Sequence, residues 1–404
     1  MPPRVMSVIG IATIIGLCVL LSSDRRRINW VLLLLGFGLQ YFFAVILLKT
    51  YPEQIFAGAQ ALFEGLSSYS RYGAKFLFGC LAEQGDFVIL SMGAVIVFVS
   101  SLMAVLNYIR VLPAIIYVLA RAMQWTMRTS GAETLSAVMQ IFMGIEAVTG
   151  LKPVIARMTR SELFTVMACF MANLAGSVMA VYVGIFGANA GYILAASVMS
   201  APAALALSKV MIPETGTPET GDRIEWGMLL PPEQGIVEAA ANGAVDGIKL
   251  TGAIAAILLA FVSIIYMINA GLGLVGTSFE QIGGYLFAPV AYLLGIPWED
   301  CTKAGNLLAL KTVFNEWLAY SRMKEMVAAG ELSPRAVMIL TYALCNFANF
   351  GSMAILIGGM SALAPERKEE IVRLALRSLL CGLLAGFSTA AVAGTLSSLD
   401  GPVP

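Results

Sequence analysis

Long apolar runs separated by short polar or charged segments dominate the chain. Eight of these runs have about 20 residues, the length of helix that crosses the hydrocarbon core of a bilayer. They are residues 5–23, 30–48, 87–108, 163–184, 191–212, 250–274, 336–359 and 371–396. The pattern therefore predicts an all-α polytopic membrane protein with eight transmembrane helices.

Three further stretches are apolar but unsuited to simple spanning. Residues 132–155 and 298–323 carry charged and polar groups in mid-segment. They fit re-entrant helical hairpins, whose backbone is tolerated at membrane depth only where it is buried in protein or lines a cavity. The third stretch, 112–127, is amphipathic and is typical of a helix that lies in the membrane interface.

Lys and Arg in the short loops predict the orientation. Arg25, Arg26 and Arg27 place the first loop in the cytoplasm, because cytoplasmic loops carry an excess of positive charge. Both chain termini are then predicted to be external. The first hairpin enters from the cytoplasm and the second from outside.

Composition excludes several classes of protein. Of the 404 residues, 59% are hydrophobic and 12% are charged, whereas a soluble domain has about 45–50% and about 25%. The chain has no His, so a Ser-His-Asp triad and an imidazole metal site are excluded. A net charge of zero without a basic run argues against nucleic acid as a partner. We expect neither an enzyme nor an organic cofactor.

An internal repeat relates two segments of the chain. Residues 171–180 read MANLAGSVMA and residues 347–354 read FANFGSMA. Each follows a predicted hairpin with an isolated acid, Glu146 in the first and Glu316 in the second. Because the hairpins enter from opposite faces, the repeat has inverted topology, which is typical of secondary transporters. A channel or a membrane enzyme would need a pore lining or a catalytic motif, and neither pattern is evident.

The polar residues of the second repeat predict a binding site. An ionisable residue within the bilayer is costly, so Glu316 is interpreted as functional, with neutralisation by Lys311 as the structural alternative. Asn349 and Ser352 supply hydrogen-bond donors and acceptors at a predicted helix break, and Phe347 adds a flat apolar face. The set suits a neutral ligand with hydroxyls and a planar ring, such as a sugar attached to a heterocycle.

Several motifs resemble those of the concentrative nucleoside transporters. The most specific are LKTVFNEWLAY at 310–320 and FANFGS at 347–352. Supporting pieces are SSDR at 22–25, RVLP at 110–113, ELF at 162–164 and YLFAP at 285–289. The resemblance extends from about residue 8 to residue 396.

The resemblance implies a homotrimer in a bacterial cytoplasmic (inner) membrane that imports nucleosides by ion-coupled symport and alternating access. It implies N-terminal scaffold helices with an interfacial helix (1–130) and a first hairpin with its broken helix (131–212). A cytoplasmic polar loop (213–243) and a scaffold helix (244–275) follow. The second hairpin with its broken helix (276–362) and a C-terminal helix (363–404) complete the chain.

The resemblance also implies roles for individual residues. Glu316, Asn349 and Ser352 would hold the ribose, with Phe347 lining the pocket. Glu146 and Val178 would read the base. A coupling ion would be held around the first hairpin tip and its broken helix, by Gln140, Met143, Asn173 and Leu174.

The chain departs from the family pattern at the first hairpin and its broken helix. The hairpin is one residue shorter and has Ile145 where a glutamine usually reads the base. A modified nucleoside or another small ring-bearing solute is therefore an alternative substrate, and a transport-inactive sensor or scaffold is an alternative role. Gln140 and Asn173 replace the smaller Asn and Ser of sodium-coupled members. The coupling ion is predicted to be H⁺ or Na⁺. Protons are somewhat preferred, because Glu146 or Glu316 could carry a proton without a set of ligands that surrounds a metal ion.

Overall fold

The computed structural model is built almost wholly from α-helices. It describes residues 2–50, 52–82, 88–144, 146–219, 221, 226–229 and 233–397, and none of these lies in a β-strand. This confirms the all-α prediction. Seven helical segments in the described residues are long and apolar enough to cross a membrane, namely Pro3–Leu20, Trp30–Lys49, Ile89–Tyr108, Arg160–Gly184, Ala190–Met211, Ile236–Gly273 and Pro365–Leu396. One of them, Arg160–Gly184, is divided by a break after Ala172. The remaining predicted span, 336–359, consists of two shorter helices.

The α-helices are numbered in chain order. The first half of the chain contains α1 (Pro3–Leu20), α2 (Trp30–Val45), α3 (Pro52–Phe78), α4 (Val88–Tyr108), α5 (Val111–Met127), α6 (Gly131–Phe142), α7 (Glu146–Thr149), α8 (Lys152–Ile155), α9 (Arg160–Ala172), α10 (Gly176–Gly184) and α11 (Ala190–Met211). The second half contains α12 (Ile236–Gly273), α13 (Phe279–Leu293), α14 (Trp298–Val313), α15 (Glu316–Ala328), α16 (Pro334–Leu344), α17 (Phe350–Leu363) and α18 (Lys368–Leu396).

Two helices and part of a third were not predicted from the apolar pattern. Helix α3 carries Glu64, Arg71 and Lys75, so its polar content hides a 27-residue helix. Helix α13 lies between two predicted segments. Helix α12 has 38 residues and begins well before the apolar run at 250, with polar residues in its first turns. At 1.5 Å per residue it is about 57 Å long, which exceeds the about 30 Å of a bilayer core.

Helices α4 and α12 pack closely through small residues. Gly243 and Gly247 are four residues apart on α12 and face α4. A Cβ at Gly243 would lie 2.7 Å from the Ser100 carbonyl oxygen, and one at Gly247 would lie 2.7 Å from the Val97 Cα. This is the small-xxx-small arrangement that lets membrane helices approach backbone to backbone. The pair forms a wall beside the hairpins.

The first hairpin consists of α6 and the short helices α7 and α8. Ser130 and Glu133 form a capping box at the start of α6. Lys209, near the end of α11, pairs with Glu133 and also with Glu214, at 3.1 Å. Burial raises the pKa of Glu214, but the Lys209 ammonium and the hydrogen bonds that the carboxylate accepts together outweigh that effect and lower this pKa below its usual value. The ion pairs fix the base of the hairpin to α11 and to the loop after it.

The second hairpin consists of α14 and α15, which are joined at Phe314 and Asn315. The Asn315 side chain caps α15 by accepting a hydrogen bond from the Leu318 amide at 3.0 Å. Both hairpins thus lie where the sequence predicts them.

The two broken helices cross at their breaks. Helix α9 ends at Ala172 and α10 begins at Gly176, while α16 ends at Leu344 and α17 begins at Phe350. The Phe347 amide donates to the Asn173 carbonyl oxygen at 3.2 Å. The rings of Phe170 and Phe347 stack with their centroids 5.5 Å apart. The two copies of the sequence repeat therefore meet at one point.

The α4–α12 contact predicts opposite effects for two matched substitutions. In Gly243→Ala the new methyl group would lie 2.6 Å from the Ala104 Cβ, and overpacking of this kind costs about 1–3 kcal/mol. We therefore expect the variant to have a lower apparent Tm in detergent than the parent. The Tm is measured by size-exclusion chromatography of samples heated to a series of temperatures.

Gly252→Ala on the same helix is the control, because no atom of a neighbouring element lies within 4 Å of the point where its new methyl group would stand. Alanine favours a helix over glycine by about 1 kcal/mol, so this variant should be as stable as the parent or more stable. Equal Tm values for both variants would contradict the close packing of α4 on α12.

Candidate functional site

A small cavity lies where the two broken helices cross. Its volume is about 60 Å³. The first repeat contributes Gly144, Phe170, Ala175 and Val178, the second contributes Asn315, Glu316, Trp317, Phe347, Asn349, Gly351, Ser352 and Ile355, and α12 contributes Leu250, Ile254 and Ile257. Five of the six substrate-site residues predicted from the sequence therefore line one cavity. The side chain of the sixth, Glu146, lies outside the described part of the chain, as does Ile145.

Glu316 is the buried charge of this cavity. Its carboxylate accepts a hydrogen bond from the Tyr182 hydroxyl at 3.0 Å and another from the Asn349 amide nitrogen at 2.7 Å. The Asn349 side-chain oxygen in turn accepts from the Ser352 backbone amide at 2.8 Å and caps α17. These bonds join the second hairpin to both broken helices. A carboxylate oxygen has two lone pairs, so Glu316 can still accept a hydrogen bond from a ligand hydroxyl.

Tyr182 was missed in the sequence because it lies in an apolar run and shares no motif with Glu316. Its buried ring stacks on Tyr320 at 4.5 Å and lies 5.1 Å from Trp317. These contacts fix the direction of its hydroxyl. Sequence spacing alone has no signal for this partner, since it comes from the opposite repeat.

Lys311 stabilises the break between α16 and α17 by hydrogen bonding to it. It is fully buried, and its ammonium donates to the Asn346 side-chain oxygen and to the Ala348 carbonyl oxygen, the latter at 3.1 Å. Among the described residues no ion pair joins Lys311 to Glu316. Lys311 therefore does not neutralise Glu316 through a direct salt bridge. Asn346 supplies one of the two acceptors.

Two of the predicted ion-binding residues present unpaired oxygens. The Gln140 nitrogen donates to Ser136 Oγ at 2.9 Å, and the Asn173 nitrogen donates to the Cys169 carbonyl at 3.1 Å. The side-chain oxygens of Gln140 and Asn173 are buried without a hydrogen-bond partner. An orphaned buried oxygen is costly, and a hard cation is one way to satisfy it.

The other two predicted ion-binding residues lie in non-helical backbone. Met143 follows the end of α6 in an extended conformation, and Leu174 lies in the break between α9 and α10. At such positions backbone carbonyls are outside the helical hydrogen-bond ladder. Unwound carbonyls of this kind coordinate Na⁺ in secondary transporters. The four residues thus offer oxygen ligands of the appropriate type.

Two hairpins and two crossing broken helices define the architecture of a secondary transporter. The family models that match are described as Na⁺ dependent nucleoside transporter N-terminus (residues 9–81), nucleoside recognition (89–189) and Na⁺ dependent nucleoside transporter C-terminus (192–394). The chain belongs to the concentrative nucleoside transporter family, and it is not an enzyme.

Curated relatives agree with this assignment. The uncharacterized transporter YutK of Bacillus subtilis is 36% identical, over 96% of this chain and 98% of its own length. Sodium/nucleoside cotransporter 1 of Mus musculus is 37% identical over 98% of this chain, which spans 64% of that longer protein.

Solved structures of a related transporter share the fold. CNTnw in an inward-facing substrate-bound state is 36% identical, with a TM-score of 0.92 and complete coverage of both chains. An outward-facing structure of a CNTnw variant has a TM-score of 0.91 at 36% identity and 99% coverage of both chains. The match over the whole chain confirms the fold class predicted from the sequence.

The Tyr182–Glu316 hydrogen bond predicts that Tyr182→Phe weakens nucleoside binding. The substitution removes the hydroxyl that orients the Glu316 carboxylate. A misplaced carboxylate weakens its hydrogen bond to the ligand, and a hydrogen bond to a charged group contributes about 1.5–3 kcal/mol. We expect the Kd for nucleoside to rise about tenfold or more, measured by isothermal calorimetry on purified protein.

Tyr285→Phe is the matched control, because the Tyr285 side chain is 72% exposed on α13. Its Kd should equal that of the parent. If Tyr182→Phe binds as tightly as the control, Tyr182 does not position Glu316.

Proposed function

We propose that this protein is a sodium-coupled nucleoside symporter that imports nucleosides across a bacterial cytoplasmic membrane by alternating access. The observation that carries the proposal is the buried Glu316 carboxylate, held by Tyr182 and Asn349 in a cavity where two broken helices cross. The membership of the family supports the substrate class.

The polar side of the cavity suits a ribose. Glu316 accepts hydrogen bonds from hydroxyls, while Asn349 and Ser352 stand beside it at the start of α17. Vicinal hydroxyls need neighbouring acceptors and donors, and this set offers both. We assign ribose binding to Glu316, Asn349 and Ser352.

The apolar residues of the cavity suit a planar base. Phe347 and Phe170 present stacked rings, and Val178, Ile254 and Ile257 add apolar surface. A flat heterocycle packs well on such a wall. We assign base recognition to Glu146 and Val178, with Phe347 lining the pocket.

Sodium is the coupling ion that the first repeat favours. The unpaired oxygens of Gln140 and Asn173 offer side-chain ligands, and the backbone at Met143 and Leu174 offers carbonyls. A proton would leave those two buried oxygens unsatisfied. We therefore favour Na⁺ over the protons that the sequence suggested. The descriptions of the matching family models, which name Na⁺ dependence, support the same choice.

The assembly and orientation follow from the same family. We propose a homotrimer with external chain termini; the C-terminal residues 398–404 lie outside the described part of the chain. Helices α4 and α12 would belong to a fixed scaffold, which the sequence predicts as 1–130 and 244–275. Because α12 begins at Ile236, the scaffold helix also includes residues 236–243. The hairpins and broken helices (131–212 and 276–362) would move. The polar loop, predicted as 213–243, ends where α12 begins at Ile236 and would lie on the cytoplasmic side, and the C-terminal helix would lie in 363–404.

Removing either polar anchor of the ribose should abolish transport. For Glu316→Gln and Asn349→Ala we expect the initial rate of nucleoside uptake into proteoliposomes to fall about 100-fold, because each loses charge-assisted hydrogen bonds in a buried site. Glu299→Gln, on the exposed first turn of α14, is the control and should transport normally. Uptake at the parental rate in both site variants would refute the assignment of ribose binding to these residues.

Removing the unpaired oxygen of Gln140 should weaken sodium coupling. Gln140→Leu keeps the approximate size of the side chain but deletes its carbonyl, so we expect the Na⁺ concentration for half-maximal uptake to rise about tenfold. Gln281→Leu, on the exposed first turn of α13, should leave it unchanged. An unaltered sodium dependence in Gln140→Leu would reject this residue as an ion ligand.

A further inference from the structure

A second cavity adjoins the substrate cavity, and we call it the vestibule. The two cavities share Gly144 at the first hairpin tip and Ala175 at the break of the first repeat. The vestibule is otherwise lined by Ser100, Met103, Ala104, Asn107, Phe142, Met143, Ser177, Glu233, Asn242, Gly243 and Asp246. One wall therefore belongs to the hairpin and broken helix, and the other to α4 and α12.

The vestibule is larger than the substrate cavity. Its volume is about 340 Å³, against about 60 Å³ for the substrate cavity. Small-molecule sites have about 300–1,000 Å³, so of these two adjoining cavities the vestibule has room for a nucleoside in this conformation. A third cavity of about 550 Å³ lies at the other end of α12, around Asn269, Glu280 and Arg322. Its described lining shares no residue with the substrate cavity.

The vestibule opens toward one end of the scaffold helices. Asn107 lies in the last turn of α4, and Asn242 lies in the second turn of α12. Arg110 lies two residues after the end of α4, so the positive-inside pattern assigns this end to the cytoplasm. A solute that leaves the substrate cavity past Gly144 and Ala175 enters this space first.

The lining combines apolar surface with a few polar groups. Met103, Phe142 and Met143 present apolar side chains next to the substrate cavity. Asn242 makes a long hydrogen bond of 3.3 Å to Glu233, which a better-placed ligand group can replace. Asn107 adds a second carboxamide, from the facing helix. Two carboxamides beside apolar side chains are suited to the edge of a nucleobase and its flat face.

We propose that the vestibule is a second nucleoside subsite, which the substrate occupies between the cavity at Glu316 and the cytoplasm. Asn107 and Asn242 hold the nucleoside there through its base or ribose. The inference rests on the proposed function and deepens it. Since both residues belong to α4 and α12, release is a transfer from the moving elements to the scaffold.

The test separates binding on the two sides of the membrane. Asn107→Leu and Asn242→Leu remove a carboxamide from different helices at nearly constant volume, so loss of folding in one leaves the other informative. Proteoliposomes with one protein orientation are loaded with unlabelled uridine on the cytoplasmic side, and uptake of external labelled uridine is measured. The internal concentration that halves uptake reports binding from the cytoplasmic side, which includes the vestibule, and the external KM reports the cavity at Glu316 alone.

We expect the half-inhibiting internal concentration to rise about fivefold in each Asn variant, the effect of one hydrogen bond, with the external KM unchanged. Ser263→Ala, whose hydroxyl bonds to a carbonyl of its own helix α12, should change neither value. An unchanged internal concentration in both variants would overturn the subsite, as would a parallel rise in the external KM. Absence of uptake of both uridine and adenosine by the parent protein would instead refute the proposed function.

Discussion

The structure depends on how the backbone groups freed at the two helix breaks are paired. In a membrane an unpaired amide or carbonyl costs several kcal/mol, so a broken helix needs partners from the protein. Here the Phe347 amide bonds to the Asn173 carbonyl, and the Lys311 ammonium bonds to the Ala348 carbonyl. Each break thus contributes to the stability of the other. The same crossing brings Glu316, Asn349 and Val178 to one cavity.

Pairing within the second repeat has a consequence for function. Because Lys311 is occupied by Asn346 and Ala348, the Glu316 carboxylate is held by neutral donors, Tyr182 and Asn349. A carboxylate in that setting keeps acceptor capacity for hydroxyls. In the first repeat the side-chain oxygens of Gln140 and Asn173 are buried without a hydrogen-bond partner. In the proposed function the second repeat binds the ribose and the first repeat binds the sodium ion.

Much of the fold follows from patterns that are local in the sequence. The spans are apolar runs, the hairpins carry mid-segment acids, and the breaks carry Ala-Asn and Gly-Ser. The prediction failed for helix α3, where polar residues mask the helix, and for the first turns of α12, which pack against α4 through Gly243 and Gly247. Tyr182 and the acceptors of Lys311 come from distant positions in the chain. Periodicity has no signal for such contacts, and only the three-dimensional structure brings them together.

Sodium-coupled nucleoside import is tested most directly by uptake of radiolabelled uridine and adenosine into proteoliposomes, with sodium and proton gradients imposed separately. We predict accumulation driven by an inward sodium gradient and retained when a protonophore abolishes the proton gradient. Accumulation that requires the proton gradient, or none of either nucleoside by folded protein, would contradict this function.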